Sequence, residues 1–280
     1  DALLSRGLGD VYKRQMRFTG QTTFRAPHPD ETSNTRVTAL SYVNQAGAFK
    51  GVDITGNKNL SPEEATTFNV GLVTDFGTDN WSATLDFYDF NFKNPIIFEN
   101  HQQLVNAYAA GGAAKAAVQG QIFTPDGAGG LVADGSGAAG NVARIQSNYI
   151  NGPETNTNGI DLFVQYEMDI ANGSLAAGIE ANEILEYSVA AYMKGSVQIA
   201  AAYECAGYFN IENTCRSMPS RKAKALVSYT DNIHNVYGAV NYISSYDDRR
   251  ATGAGCSKVL DAEGICTVIG DMVSVDATYT

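Results

Sequence analysis

The chain has 280 residues, of which 44% are hydrophobic and 18% charged, and its formal net charge is −11. That acidity argues against a nucleic-acid partner, which needs a basic face. No apolar run approaches the roughly 18 residues of a membrane-spanning helix, but membrane β-barrels stay open, because their strands alternate apolar and polar side chains.

The first fifteen residues stand apart. Asp10-Val11-Tyr12-Lys13-Arg14-Gln15 back-translates to GATGTGTATAAGAGACAG, which resembles a transposon end used in sequencing-library adapters. Residues 1–15 are read as translated adapter and set aside from the fold. The rest is expected to be a slice of a longer protein.

Residues 16–24 form a first strand, and 25–62 a long loop punctuated by Pro27, Pro29, Gly47, Gly51 and Gly56. In the strand over 64–76, Phe68, Val70 and Leu72 share one face and Asn69 and Gly71 the other. A tight turn at 77–79 leads to a strand over 80–97. Trp81, Ala83, Leu85 and Phe87 take one face there, and Ser82, Thr84, Asp86 and Tyr88 the other. An insertion follows, with a short Ala-rich helix over 104–118 and a Gly-rich loop over 127–140.

The strand over 155–169 alternates cleanly, with Ile160, Leu162, Val164, Tyr166 and Met168 opposite Asp161, Phe163, Gln165, Glu167 and Asp169. Asn172-Gly173 suits a positive-φ hairpin turn, and 174–188 runs back. After a loop over 189–219 come strands at 222–230 and 235–247. A last loop over 248–271 leads to the alternating run Val273, Val275, Ala277, Tyr279. Eight strands joined by alternately short and long connections predict an all-β, antiparallel transmembrane barrel fragment, with short turns on one rim and long loops on the other.

Several segments carry a family likeness. Gly56-Asn57-Lys58-Asn59-Leu60-Ser61-Pro62-Glu63 resembles the G-N-x-x-L-x-P-E segment of TonB-dependent outer-membrane receptors. The upstream Phe24-Arg25-Ala26-Pro27 resembles their F-R-A-P. Asn158-Gly159-Ile160-Asp161-Leu162 is similar to one of their strand openings, and 218–223 and 242–248 to later strands. Lys58 and Ser61 depart from the usual residues. The motif positions are thus Phe24, Arg25, Ala26, Pro27, Gly56, Asn57, Leu60, Pro62, Glu63, Gly159 and Asp161.

The resemblance implies a piece of the C-terminal barrel over residues 16–280, holding roughly strands thirteen to twenty of about 22 and lacking the plug and flanking strands. It implies outer-membrane lipid, a small or oligomeric nutrient ligand and TonB as partners. TonB would act through a missing N-terminal region, in a Gram-negative outer membrane. The substrate class (siderophore, cobalamin, saccharide) and the ligand-contacting residues are left open. Two other readings stand beside it: a different outer-membrane barrel, such as a passive porin or an adhesin, and a secreted all-β binding module.

Candidate chemistry is sparse. Cys205/Cys215 and Cys256/Cys266 are two closely spaced pairs in predicted loops. Neither is a C-x-x-C, and His28, His101 and His234 are distant in sequence, so two local disulfides are favoured over metal or redox chemistry. Asp86/Asp89 and Glu180/Glu183 are read as barrel charges and not as catalytic pairs. Asp126 and Asp134 are read as loop residues and not as calcium ligands. Tyr88, Phe90 and Phe92 are read as an interfacial girdle in preference to a sugar-stacking platform. Arg25 is either structural or ligand-facing. No enzyme activity, cofactor or metal is expected.

Overall fold

The computed structural model describes residues 14–75, 80–210, 215–248 and 268–280. Eight long strands make one antiparallel wall: β1 (Arg14–Arg25), β2 (Glu63–Asp75), β3 (Trp81–Lys93), β4 (Thr155–Ile170), β5 (Gly173–Val189), β6 (Arg221–Thr230), β7 (Asn235–Ile243) and β8 (Met272–Tyr279). Each pairs with its neighbour in chain order, and β1 and β8 are the two outer strands. Tyr203–Glu204 adds a short strand on the end of β5. Of the segment set aside as adapter, residues 1–13 lie outside the described residues. Arg14 and Gln15 extend β1 against Thr74 and Val73.

The register explains why these sequences pair. One row across the wall reads Met16, Leu72, Leu85, Leu162, Ala181, Ala223, Tyr242, Val273. The next reads Arg17, Gly71, Asp86, Asp161, Asn182, Lys222 before turning apolar at Ile243. A slip of one residue in any strand would put its apolar set on the charged face, so the pattern pins the pairing. Phe68, Leu72, Leu85, Leu162, Ile179, Val227, Val240 and Val275 are all exposed on the apolar side. At about 25 cal/mol per Å², such a band is stable only when something apolar covers it.

Because the wall is one layer, the buried core lies elsewhere. Val43, Val52, Leu104, Val105, Tyr108, Val118, Ile122, Val142, Ile145 and Ile199 form it, all from the long connections. These connections are more ordered than the sequence suggests. The predicted loop over 25–62 contains the short helix α1 (Pro29–Thr32) and a hairpin of Arg36–Val43 with Ala48–Thr55. Arg144–Asn151 adds to that hairpin in parallel, and Ile122–Pro125 and Ile96–Phe98 pair with it in turn. The helix expected over 104–118 is two, α2 (His101–Ala110) and α3 (Gly112–Val118). Gly111 and Gly112, at φ 78° and 56°, break it between them.

The β4–β5 turn also differs from expectation. The pairing of Ile170 with Gly173 leaves Ala171 and Asn172 at its tip, and Ala171 takes the positive φ of 49°. Gly173 serves packing instead, since a Cβ there would lie 2.5 Å from the Thr230 carbonyl oxygen.

Candidate functional site

The site grows from β3. Its residues alternate across the wall, so with Leu85 and Phe87 on the apolar face, Tyr88, Phe90 and Phe92 stand on the polar face. The girdle expected of these three is therefore corrected: they share the side of Thr84 and Asp86. Tyr88 and Phe90 have ring centroids 5.8 Å apart, and Phe90 and Phe92 lie near-parallel at 6.2 Å. The ladder climbs toward the long-connection end.

At its top is a cavity of about 280 Å³, lined by Phe92, Tyr187, Phe98, Tyr192, Tyr203 and Gln103 among others. Phe92 and Tyr187 come from the wall, whereas Phe98, Gln103, Tyr192 and Tyr203 come from the connections folded over it. Glu99 is the one carboxylate of the lining, and no Lys, Arg or His belongs to it among the described residues.

Glu99 is buried and saturated. Tyr192 Oη donates to its Oε1 at 2.6 Å and Lys194 Nζ at 3.0 Å. Gln121 Nε2 donates to Oε2 at 2.5 Å and the Asn148 amide N–H at 3.1 Å. Lys194 also bonds Gln121. Burial, with the Glu99 charge adding to it, pushes the Tyr192 hydroxyl well above its ordinary range. This hub ties the connection after β3 to the one after β5 and so shapes the cavity roof.

The two loop motifs meet in a single junction. Arg25 and Glu63 are register partners, and Arg25 Nε donates to Glu63 Oε2 at 2.5 Å. Arg25 Nη1 reaches both Glu31 oxygens at 3.1 Å, and Glu31 caps α1 by accepting from the His28 amide. Asn57 N–H donates to the Glu31 carbonyl at 2.7 Å. A Cβ on Gly56 would sit 2.0 Å from the Ser33 carbonyl oxygen, so no side chain fits. Phe24, by contrast, is exposed, and Leu60 half-buried. Arg25 thereby ties the end of β1 to the start of β2 and to α1. Gly159 has a similar use: a Cβ there would lie 2.3 Å from Tyr88 Oη, so its absence lets the Tyr88 ring lie against β4. Asp161 accepts from Asn182 Nδ2 at 2.6 Å.

The family model for the TonB dependent receptor-like β-barrel matches residues 12–278. The chain belongs to the TonB-dependent receptor-like β-barrel family. Among solved structures, the siderophore receptor PirA of Acinetobacter baumannii is 10% identical, with a TM-score of 0.55 over 97% of this chain and 33% of its own. A variant of the ferric enterobactin receptor PfeA of Pseudomonas aeruginosa is 11% identical, with a TM-score of 0.55 over 98% of this chain and 31% of its own. The chain thus spans about a third of these structures, and at this identity the likeness is one of fold. A search of curated protein sequences gives no match.

In this TonB-dependent receptor-like barrel, the carboxylate pairs weighed from sequence come apart. Asp86 pairs with Gly71 on the polar face, whereas Asp89 pairs with Phe68 on the opposite one. Glu180 is paired with Lys224 on the polar side, whereas Glu183, of opposite parity, accepts from Arg221 Nε of the neighbouring strand at 2.7 Å. Asp126 is spent on its own turn, accepting the Ala128 and Gly130 amides at 2.8 Å. Cys205 and Cys215 form a disulfide. Cys256 and Cys266 lie outside the described residues.

The barrel's loop sheet holds one cluster that sequence did not single out. Asp53, 3% exposed, accepts from Arg144 Nε at 2.6 Å, Arg144 Nη2 at 2.7 Å and Thr38 Oγ1 at 2.6 Å. The Arg144 hydrogen bonds hold its carboxyl below the usual range, against the opposing effect of burial. Asp53 and Arg144 are 91 residues apart; only the parallel pairing of their strands brings them together.

Proposed function

We propose that this chain forms barrel wall and outer loops of an outer-membrane receptor that takes up a scarce nutrient with energy delivered through TonB. The carrying observation is the combination of a family match over residues 12–278 with a wall that is apolar on one face and charged on the other. On this reading lipid covers the Leu72–Leu85–Leu162 side, and the Asp86–Asp161–Lys222 side faces the lumen. Lipid satisfies no backbone group, so β1 and β8 would each meet a further strand of the full barrel.

Ligand would be captured from outside, in the cavity that Phe92 and Tyr187 floor and the long connections roof. Passage inward would follow when TonB, driven by the inner-membrane proton gradient, moves a plug contributed by other parts of the receptor. The residues here supply the wall and the capture surface. The siderophore receptors PirA and PfeA share the fold and leave the substrate class open.

The test is uptake in cells. Cells that express the complete receptor are compared with and without TonB, and with and without a protonophore, for growth on candidate nutrients. Uptake that needs the receptor, TonB and the gradient supports the proposal. Receptor-dependent uptake that persists without TonB overturns it in favour of a passive pore.

A further inference from the structure

We propose that the cavity above the Tyr88–Phe90–Phe92 ladder takes an uncharged, ring-bearing polyol, a saccharide unit, and not an anionic chelate. The proposal deepens the uptake reading and rests on it for the route by which the ligand arrives. The first argument is charge. The lining holds no cation among the described residues, and its one carboxylate, Glu99, is neutralised by Lys194 at 3.0 Å. An anion entering there would lose its hydration without gaining a counter-charge, which is strongly unfavourable.

The second argument is shape and surface. Phe92, Phe98, Tyr187, Tyr192 and Tyr203 present rings from both wall and roof. Flat apolar surface of this kind packs against the C–H face of a sugar ring. The volume of about 280 Å³ lies at the small end of ligand pockets, room for one ring or for one unit of a longer chain.

The third argument is polar chemistry. Tyr187 and Gln103 belong to the lining, and their side chains have no hydrogen-bond partner among the described residues. Each is neutral and can both donate and accept, which suits the hydroxyls of a polyol. Below the cavity the half-buried Phe90 and Tyr88 continue the same surface down the polar face, at spacings of 6.2 and 5.8 Å. A ring leaving the cavity meets another ring at each step before reaching the Asp86 row.

The experiment is calorimetric titration of the complete receptor in detergent with maltohexaose, cellohexaose, xylohexaose, laminarihexaose and mannohexaose. A ferric tricatecholate is the anionic comparator. At least one hexasaccharide binds, and Phe92→Ala weakens it roughly tenfold or more. Tyr187→Phe, which removes only a hydroxyl, weakens it by about twofold to tenfold. Phe87→Ala, on the opposite face, leaves it unchanged. The proposal is overturned if no hexasaccharide binds, if binding ignores both Phe92→Ala and Tyr187→Phe, or if the tricatecholate binds and Phe92→Ala abolishes that binding. TonB-independent uptake of a bound hexasaccharide would remove the uptake reading and leave this one standing; TonB-dependent uptake of a ligand indifferent to Phe92 would do the reverse.

Discussion

Arg17 Nη2 donates to both carboxylate oxygens of Asp86, at 3.0 and 2.9 Å, across the strand between them, because the residue beneath the pair is Gly71. A Cβ on Gly71 would lie 2.1 Å from Asp86 Oδ1 and 3.2 Å from Arg17 Nε. The bridge matters because Asp86 sits directly opposite Asp161 on β4, and like charges so placed repel. Arg17 offsets that repulsion from two strands away.

Gly71→Val is therefore expected to part Arg17 from Asp86 and destabilise the barrel by about 1–3 kcal/mol through overpacking. Arg17→Gln, at a partly exposed pair, is expected to cost about 1 kcal/mol or less. The double variant should be less destabilised than the sum of the two, since both break the same contact. Denaturant unfolding of the complete receptor in detergent measures all three.

The loop sheet should weaken in acid. Asp53 is held below its unfolded value of roughly 3.9, so the unfolded chain takes up the proton first. Its stabilisation is fully present above that value and is lost as pH falls through the folded one. Protection factors (exchange relative to the intrinsic amide rate at each pH) across Ala48–Thr55 and Arg144–Asn151 should fall as pH drops below about 4, and Asp53→Asn should flatten that dependence. Protection factors independent of pH over that range in both proteins would contradict it.

Removing Glu99 should free the cavity roof while sparing the wall. Glu99→Ala leaves Gln121, Lys194, Tyr192 and the Asn148 amide without their shared acceptor. Stranding buried donors costs on the order of 1–3 kcal/mol. Exchange should rise across Tyr192–Lys194 and Val197–Ala200 and stay unchanged in β4.

The Cys205–Cys215 bridge should appear as a linked peptide in non-reducing digests. Replacing both cysteines with serine should destabilise the connection after β5 by about 2–3 kcal/mol on the chain-entropy account. Free thiols at both positions in protein purified from an oxidising compartment would contradict the assignment.

The wall was legible in the sequence because one physical rule governs it. Ile160, Leu162, Val164 and Asp161 declare their faces by parity alone, and the register follows. The Arg25–Glu63 junction was half legible: both motifs could be read, but their contact depended on β1 pairing with β2. The aromatic ladder was misread because Phe87, Tyr88, Phe90 and Phe92 place rings on both faces, so ring content alone does not say which side they take. The cavity was not legible at all. Phe98, Tyr192 and Tyr203 reach it from separate connections, drawn together by Glu99 and Lys194, which are 95 residues apart. No local pattern encodes such a contact.

The central claim, a barrel wall with lipid on one side and lumen on the other, is tested most directly by spin labels placed singly at residues 160 to 165 of β4 in the complete receptor, reconstituted in bilayers. Labels at Ile160, Leu162 and Val164 should collide with dissolved oxygen and evade a water-soluble nickel chelate. Those at Asp161, Phe163 and Gln165 should evade oxygen, giving a period of two. Equal exposure of all six labels to the nickel chelate would contradict the account.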